Sequence, residues 1–272
     1  MIDEVGALLR TAAARAILPM FGKLERTDVT EKAPGELVTV ADRRAEQILA
    51  EGLVRLLPGS VVVGEEGVAA DPALLDLLHG TAPVWLVDPL DGTGNFAAGR
   101  EPFAVMVALL ESGVTRASWI LDPIADRLLT AEAGTGSYLD GVPMRAAVAG
   151  PVPTALRGAV MIRFLPPHWR ASAEAGADRL GTVLPGQHCA GREYADILTG
   201  TQQFALFWRT LPWDHAPGVL LVQEAGGVAR RLDGAAYHPA DDRDGLLVAA
   251  DDRIWHRVRD TLLPTADRGA SA

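Results

Sequence analysis

The segment that most constrains this chain is VWLVDPLDGTGNF, in which a buried-looking apolar strand ends in two acids and runs straight into a glycine. Pro89 helps fix the turn. The three-residue spacing of Asp88 and Asp91 can turn both carboxylates toward one point while leaving the Leu90 carbonyl free to coordinate. Carboxylate and carbonyl oxygens of this kind are what hard divalent cations take as ligands. Gly92 and Thr93 then open a helix, whose first backbone N–H groups lack intrahelical acceptors and suit a phosphate oxygen. Cation ligands and an anion cradle therefore fall within six residues of one another.

Three further segments put acids where strands or loops are expected to stop. They are Asp42 in LVTVAD, Glu65 and Glu66 in VVVGEE, and Asp214 in PWDHAPG. Taken singly, each has a structural alternative: Glu65 as a turn or solvated residue, and Asp214 as the N-cap of the following helix, with Pro217 in its first turn. The balance of 25 Lys and Arg against 35 Asp and Glu gives a net charge of −10. That excludes a broad nucleic-acid or anionic-membrane surface and leaves room for clustered acids that hold cations.

The 272 residues are expected to form an α/β protein of two lobes, an N-terminal α+β lobe over residues 1–144 and a C-terminal α/β lobe over 145–272. Apolar residues Val5, Leu8, Leu9 and Ala12, and later Ile48, Leu49, Leu53 and Leu56, recur at helical spacing, with RTDVTEKAPGE between them as a loop. Residues 103–142 alternate apolar runs with turn signals, including Asp140-Gly141, and predict antiparallel sheet. A helix near 171–180, a helix from WDHAPGVLLVQEAGG, a late strand GLLVAAD and a frayed tail TADRGASA complete the pattern. The single Cys189 precludes an intrachain disulfide and reads as a small buried side chain. An acidic start without a secretory pattern and apolar runs too short to span a bilayer give the expectation of a cytoplasmic protein.

In this order and at these separations, ELVTVAD, GEE, WLVDPLDGTGNF and WDHAPGVLLVQEAGG resemble the inositol monophosphatase family of Mg²⁺-dependent, lithium-sensitive phosphatases, over roughly residues 1–265. The resemblance implies a layered α-β-α-β-α sandwich, a homodimer and two or three Mg²⁺ ions at each site. It implies that Glu65, Asp88 and the Leu90 carbonyl hold a first ion, that Asp88, Asp91 and Asp214 hold a second, and that Glu66 helps hold an additional one. It further implies that Asp42 and Thr93 orient the attacking water, with Glu65 in the same catalytic group, and that Asp91, Gly92 and Thr93 meet the substrate.

Two departures stand out. Gly94 replaces the second threonine usual after DGT, and Phe207 stands where inositol-hydrolysing members carry a glutamate that binds substrate hydroxyls. The second puts inositol 1-phosphate in doubt, because a site that reads hydroxyls by hydrogen bonds loses discrimination with the partner. Arg192 and Arg209 are candidates for a second anionic group on the substrate, or else surface charges and salt bridges. His215 has a packing or capping role or touches substrate; Lys32 reaches phosphate from a lid or is merely solvated. The expected activity is hydrolysis of a small inositol-, sugar- or polyol-phosphate. Histidinol phosphate, fructose 1,6-bisphosphate and nucleotide bisphosphates are alternatives, and a non-catalytic interaction protein is the rival class. DDRDG at 241–245 is a poor calcium loop, since its first ligand position is Ala240, and no His pairing suggests zinc.

Overall fold

A computed structural model describes residues 1–33, 36–146 and 152–263. The tail TADRGASA and part of the Pro-rich stretch near 150 lie outside the described residues.

The apolar periodicity of the N-terminus forms α1 (Ile2–Ala12), which passes into a π-helical and then a short 3₁₀ segment. The segment 26–36 expected as a loop instead contains β1 (Val29–Ala33), which pairs antiparallel with β2 (Glu36–Thr39), Val29 lying opposite Thr39. Its first strand, VTEKA, buries neither face fully, so it carries no alternation of apolar and polar residues from which a strand could be read. Helix α2 (Val40–Leu56) follows at once, with Thr39 and Asp42 in a capping box. Asp42 thus sits in the first turn of a helix, not at a strand end.

A seven-stranded sheet comprises β3 (Val61–Gly64), β4 (Val84–Asp91), β5 (Ala104–Glu111), β6 (Val114–Asp122), β7 (Arg127–Glu132), β8 (Gly136–Leu139) and β9 (Val142–Met144), in that order. Only the β3–β4 pair is parallel, its crossover containing α3 (Glu65–Ala70). The expected antiparallel sheet is present, and Asp140 and Gly141 make the β8–β9 turn with both φ angles positive, at 51° and 79°. Every residue of β4 is buried. It therefore lies in the middle of the packing, with α1 and α2 on one face of its sheet.

After the short α4 (Thr93–Ala97), the chain builds a five-stranded sheet ordered β11-β10-β12-β14-β13. Its strands are β10 (Leu156–Val160), β11 (Gly181–Leu184), β12 (Phe204–Phe207), β13 (Val228–Arg231) and β14 (Leu246–Ala249). Helices α6 (Ala190–Leu198) and α7 (Pro212–Glu224) lie between the sheets and touch both, while α5 (Pro167–Ala177) and α8 (Asp252–Leu262) pack together on the far side. The result is the α-β-α-β-α sandwich. Helix α7 is buried nearly all round, as a central layer requires. No described helix is long and apolar enough to cross a membrane.

Candidate active site

The carboxyl end of β4, the N-termini of α3, α4, α6 and α7, and the β1–β2 hairpin meet at one cleft of about 480 Å³. Its clustered acids come from three elements, Asp88 and Asp91 from β4, Glu65 from α3 and Asp214 from α7. Asp91 is the last residue of the buried β4 and Asp88 lies three positions before it, so neither escapes to solvent; Asp88 and Asp91 are 2% and 9% exposed. Asp88 Oδ1 accepts the Leu90 N–H at 2.9 Å, and Asp91 Oδ2 accepts the Gly191 N–H at 2.6 Å and the Cys189 thiol at 3.1 Å. Asp214 is the third residue of α7, which begins at Pro212. It is therefore not the N-cap that its sequence context offered, and Pro217 lies in the helix interior.

The electrostatics follow from this burial. Burial and the charges of Glu65, Asp91 and Asp214 push Asp88 well above the usual carboxylate range. Asp214 is raised by burial and by Glu65 and Asp91, with Arg209 working in the opposite direction. Burial raises Asp91 to about 6 in spite of the donors from Gly191 and Cys189. Glu65, at the start of α3, joins the same field. Like charges gathered in low dielectric resist ionising together unless a cation joins them.

One cation is already there. Lys32 Nζ lies 2.6 Å from Glu65 Oε1 and 2.6 Å from Glu66 Oε1. Burial works against its charge, yet the two glutamates hold the ammonium above its ordinary range. Behind them Glu46 accepts the N–H groups of Glu66 and Gly67 at 2.8 Å each, and burial pushes this carboxyl up to about 7. Among the described residues no three acid, His or Cys side chains form a ready cation cage. Facing backbone donors and Lys32 is the arrangement that mutually repelling carboxylates adopt by themselves. The donor set is nevertheless all oxygen and anionic, as Mg²⁺ demands, and an ammonium bridging two of its members shows that it accepts positive charge.

Beside the acids lies a proton path. Thr93 Oγ1 is 2.9 Å from Asp42 Oδ1 and 3.0 Å from the Leu90 carbonyl oxygen. Asp42 Oδ2 accepts both the N–H and the hydroxyl of Thr39, and burial raises this acid to about 6. Gly92 precedes Thr93 with φ +90° as the N-cap of α4, and a Cβ there would meet the Pro102 carbonyl oxygen at 2.9 Å. Only glycine combines that backbone with that approach.

The remaining predicted residues divide. Arg209 lines the cleft, pairs with Glu36 of β2 and lies 5.7 Å from the Phe164 ring centroid. Arg192 does not enter. It pairs with Asp196 one helical turn on, at 2.8 Å, and faces a separate cavity. The sequence spacing of four already contained that alternative. Three residues with local roles were not anticipated: Cys189 and Gly191, which hold Asp91, and Asn95, whose amide donates to the carbonyls of Pro102 and Gln187 at 2.8 Å each. These contacts bridge more than ninety positions for Cys189 and Gly191, and ninety-two for Asn95 to Gln187, so no local motif announces them.

Residues 1–266 match the model of the inositol monophosphatase family. An inositol-1-monophosphatase of Rhizobium meliloti is 31% identical over 267 residues, covering 92% of this chain and 91% of the relative. A Nus factor SuhB of Pseudomonas aeruginosa is 32% identical over 269 residues, covering 94% of each chain. Among solved structures, the extragenic suppressor protein suhB of Bartonella henselae superposes with a TM-score of 0.83 at 25% identity, over 97% of this chain and 99% of that one.

Proposed function

The chain belongs to the inositol monophosphatase family, and from that premise we propose that it is a Mg²⁺-dependent phosphatase of a small phosphomonoester, acting by in-line attack of water without a covalent intermediate. The observation that carries the proposal is the Thr93 hydroxyl, set between the Asp42 carboxylate and the Leu90 carbonyl at the edge of the acid cluster. A purely binding surface has no use for a proton path there, although a relative named as a Nus factor makes a second, interacting role worth testing beside catalysis.

Glu65, Asp88, the Leu90 carbonyl, Asp91 and Asp214 would hold the cations, with Glu66 serving an additional one. Bound there, Mg²⁺ supplies Lewis acidity, which makes water a better nucleophile and steadies charge on the departing ester oxygen. The protein's own groups do the rest. Thr93 passes its hydroxyl proton to Asp42 and takes one from the attacking water, so the proton count on the threonine is unchanged. The N–H groups of Gly92 and Thr93 hold phosphoryl oxygens in line with the water. Asp91, clamped by Gly191 and Cys189, keeps its orientation as the ester binds.

The test is phosphate release from inositol 1-phosphate, histidinol phosphate, fructose 1,6-bisphosphate and a 3′,5′-nucleoside bisphosphate, with and without Mg²⁺, for wild type and Asp88→Asn. Metal-dependent release that Asp88→Asn abolishes without loss of fold is the expected result. Activity that persists in that variant, or is absent from every ester while Mg²⁺ is bound, overturns the proposal.

A further inference from the structure

Phe207 is one member of a tightly fixed group. Its ring stacks on Tyr194 with centroids 5.5 Å apart and planes at 18°, and the edge of His215 meets it at 4.6 Å and 67°. His215 Nε2 lies 3.1 Å from the Arg209 carbonyl oxygen, which can only accept. That nitrogen therefore carries the proton, so Nδ1 must accept from the Tyr194 hydroxyl at 2.9 Å. Tyr194 is itself wedged against α7, where a Cβ on Gly218 would fall 2.1 Å from its ring. One chain of contacts, Tyr194 to His215 to Arg209, thus fixes both Phe207 and the backbone of Arg209. Phe207, Arg209 and His215 line the same cleft as Asp91 and Asp214, joined there by Trp208, Phe164 and Met161.

We propose that Tyr194 and His215 are specificity-positioning residues, holding a wall of Phe207 and Arg209 that takes phosphate esters whose alcohol carries a planar or apolar ring and disfavours polyols. The proposal rests on the phosphatase reading above. Its physical basis is that this wall offers rings and a guanidinium already paired with Glu36. The Glu36 carboxylate that reaches this wall is already taken up by Arg209, so hydroxyls set against the wall would lose their water without a free partner on it. A ring meets aromatic edges and the Arg209 stack at no such cost. Neither Tyr194 nor His215 needs to touch the reacting atoms.

The experiment compares benzyl phosphate, inositol 1-phosphate and glycerol 2-phosphate in the Mg²⁺-loaded enzyme. Benzyl alcohol ionises about as reluctantly as other simple alcohols, so ring recognition is separated from leaving-group quality. The expected KM for benzyl phosphate is at least about ten-fold below that for inositol 1-phosphate, the scale on which an apolar pocket discriminates. Tyr194→Phe keeps the ring and deletes only the hydroxyl. It should raise the KM for benzyl phosphate about three-fold or more, the scale of one hydrogen bond, with a smaller effect on kcat and on glycerol 2-phosphate. His215→Gln, whose amide can donate to the Arg209 carbonyl, should recover part of what His215→Leu loses. In the metal-free protein, the imidazole nitrogen shifts of His215 should report the Nε2–H form and should move in Tyr194→Phe. No ring preference, or equal losses of kcat and KM across all three esters, overturns this inference alone. Absence of turnover on every ester overturns the phosphatase reading, and with it the substrate class proposed here.

Discussion

Asp42→Asn should separate catalysis from stability, with opposite effects on the two. The Asp42 side chain is 0% exposed, and burial lifts its pKa from 3.8 to about 6. At about 1.4 kcal/mol for each pH unit, that displacement corresponds to roughly 3 kcal/mol of destabilisation once the acid is ionised in both folded and unfolded chains. The sign follows from the folded value being the higher one. Below about pH 4 the group is protonated in both states and contributes nothing, and from there to above about pH 6 the cost grows to its full size. An asparagine carries no such cost. Its carbonyl can still accept the Thr39 N–H and hydroxyl, and Thr93 keeps the Leu90 carbonyl at 3.0 Å as its acceptor. The charge-assisted bonds that the ionised acid makes to Thr39 and Thr93 already offset part of its burial cost, so they carry no further penalty for the variant. Near pH 4, where wild-type Asp42 is itself neutral in the fold, the variant should match wild type to within about 1 kcal/mol, and at pH 7 it should be the more stable of the two, in urea melts of the metal-free proteins. Turnover should meanwhile fall at least about 100-fold, because Thr93 no longer has a base to receive its proton. A stability difference that stays flat with pH, or a variant within about ten-fold of wild-type activity, would refute the reasoning.

Lys32→Met removes the ammonium that Glu65 and Glu66 share at 2.6 Å. It should lower the Tm in chelator and enlarge the Tm gain on adding Mg²⁺, since the cation no longer displaces a resident charge; an unchanged gain counts against Lys32 as the competing cation. Asp88 and Asp214 are raised well above the carboxylate range and Asp91 to about 6. The metal-free fold therefore holds protons that the unfolded chain releases, and its Tm should fall as pH rises from about 4 through 6, with the Mg²⁺-induced gain growing over the same interval. A gain that shrinks with pH would contradict that sign.

The acid cluster was legible because it is written compactly. Asp88, Leu90, Asp91, Gly92 and Thr93 are contiguous or nearly so, since a buried strand must end where its acids meet solvent and ligand. The layering was legible only through resemblance, because no periodicity tells which sheet a helix such as α7 divides from which. The hairpin that carries Lys32 was read as a loop. Its first strand is polar and edge-like, and the strand's only strong signal, the Lys32 ammonium seated on two glutamates, exists only once residues 32 and 65 are adjacent.

Specificity is encoded differently from catalysis. Phe207 announced itself as a departure from the family pattern, but the reason a phenylalanine is stable there could not be read beside it. That reason lies in Tyr194, thirteen positions earlier, and in Gly218, eleven later, whose missing side chain gives the tyrosine its room. A glycine inside a helix ordinarily costs about 1 kcal/mol against alanine, and here an alanine would collide with the ring. Replacing Phe207 by glutamate would set a charge between the Tyr194 ring and a His215 that burial holds near 3 and therefore neutral, and the nearby Arg209 could meet that charge only by leaving Glu36. The proposed substrate preference accordingly rests on the contacts among α6, β12 and α7, while the proposed reaction rests on one stretch of sequence at the end of β4.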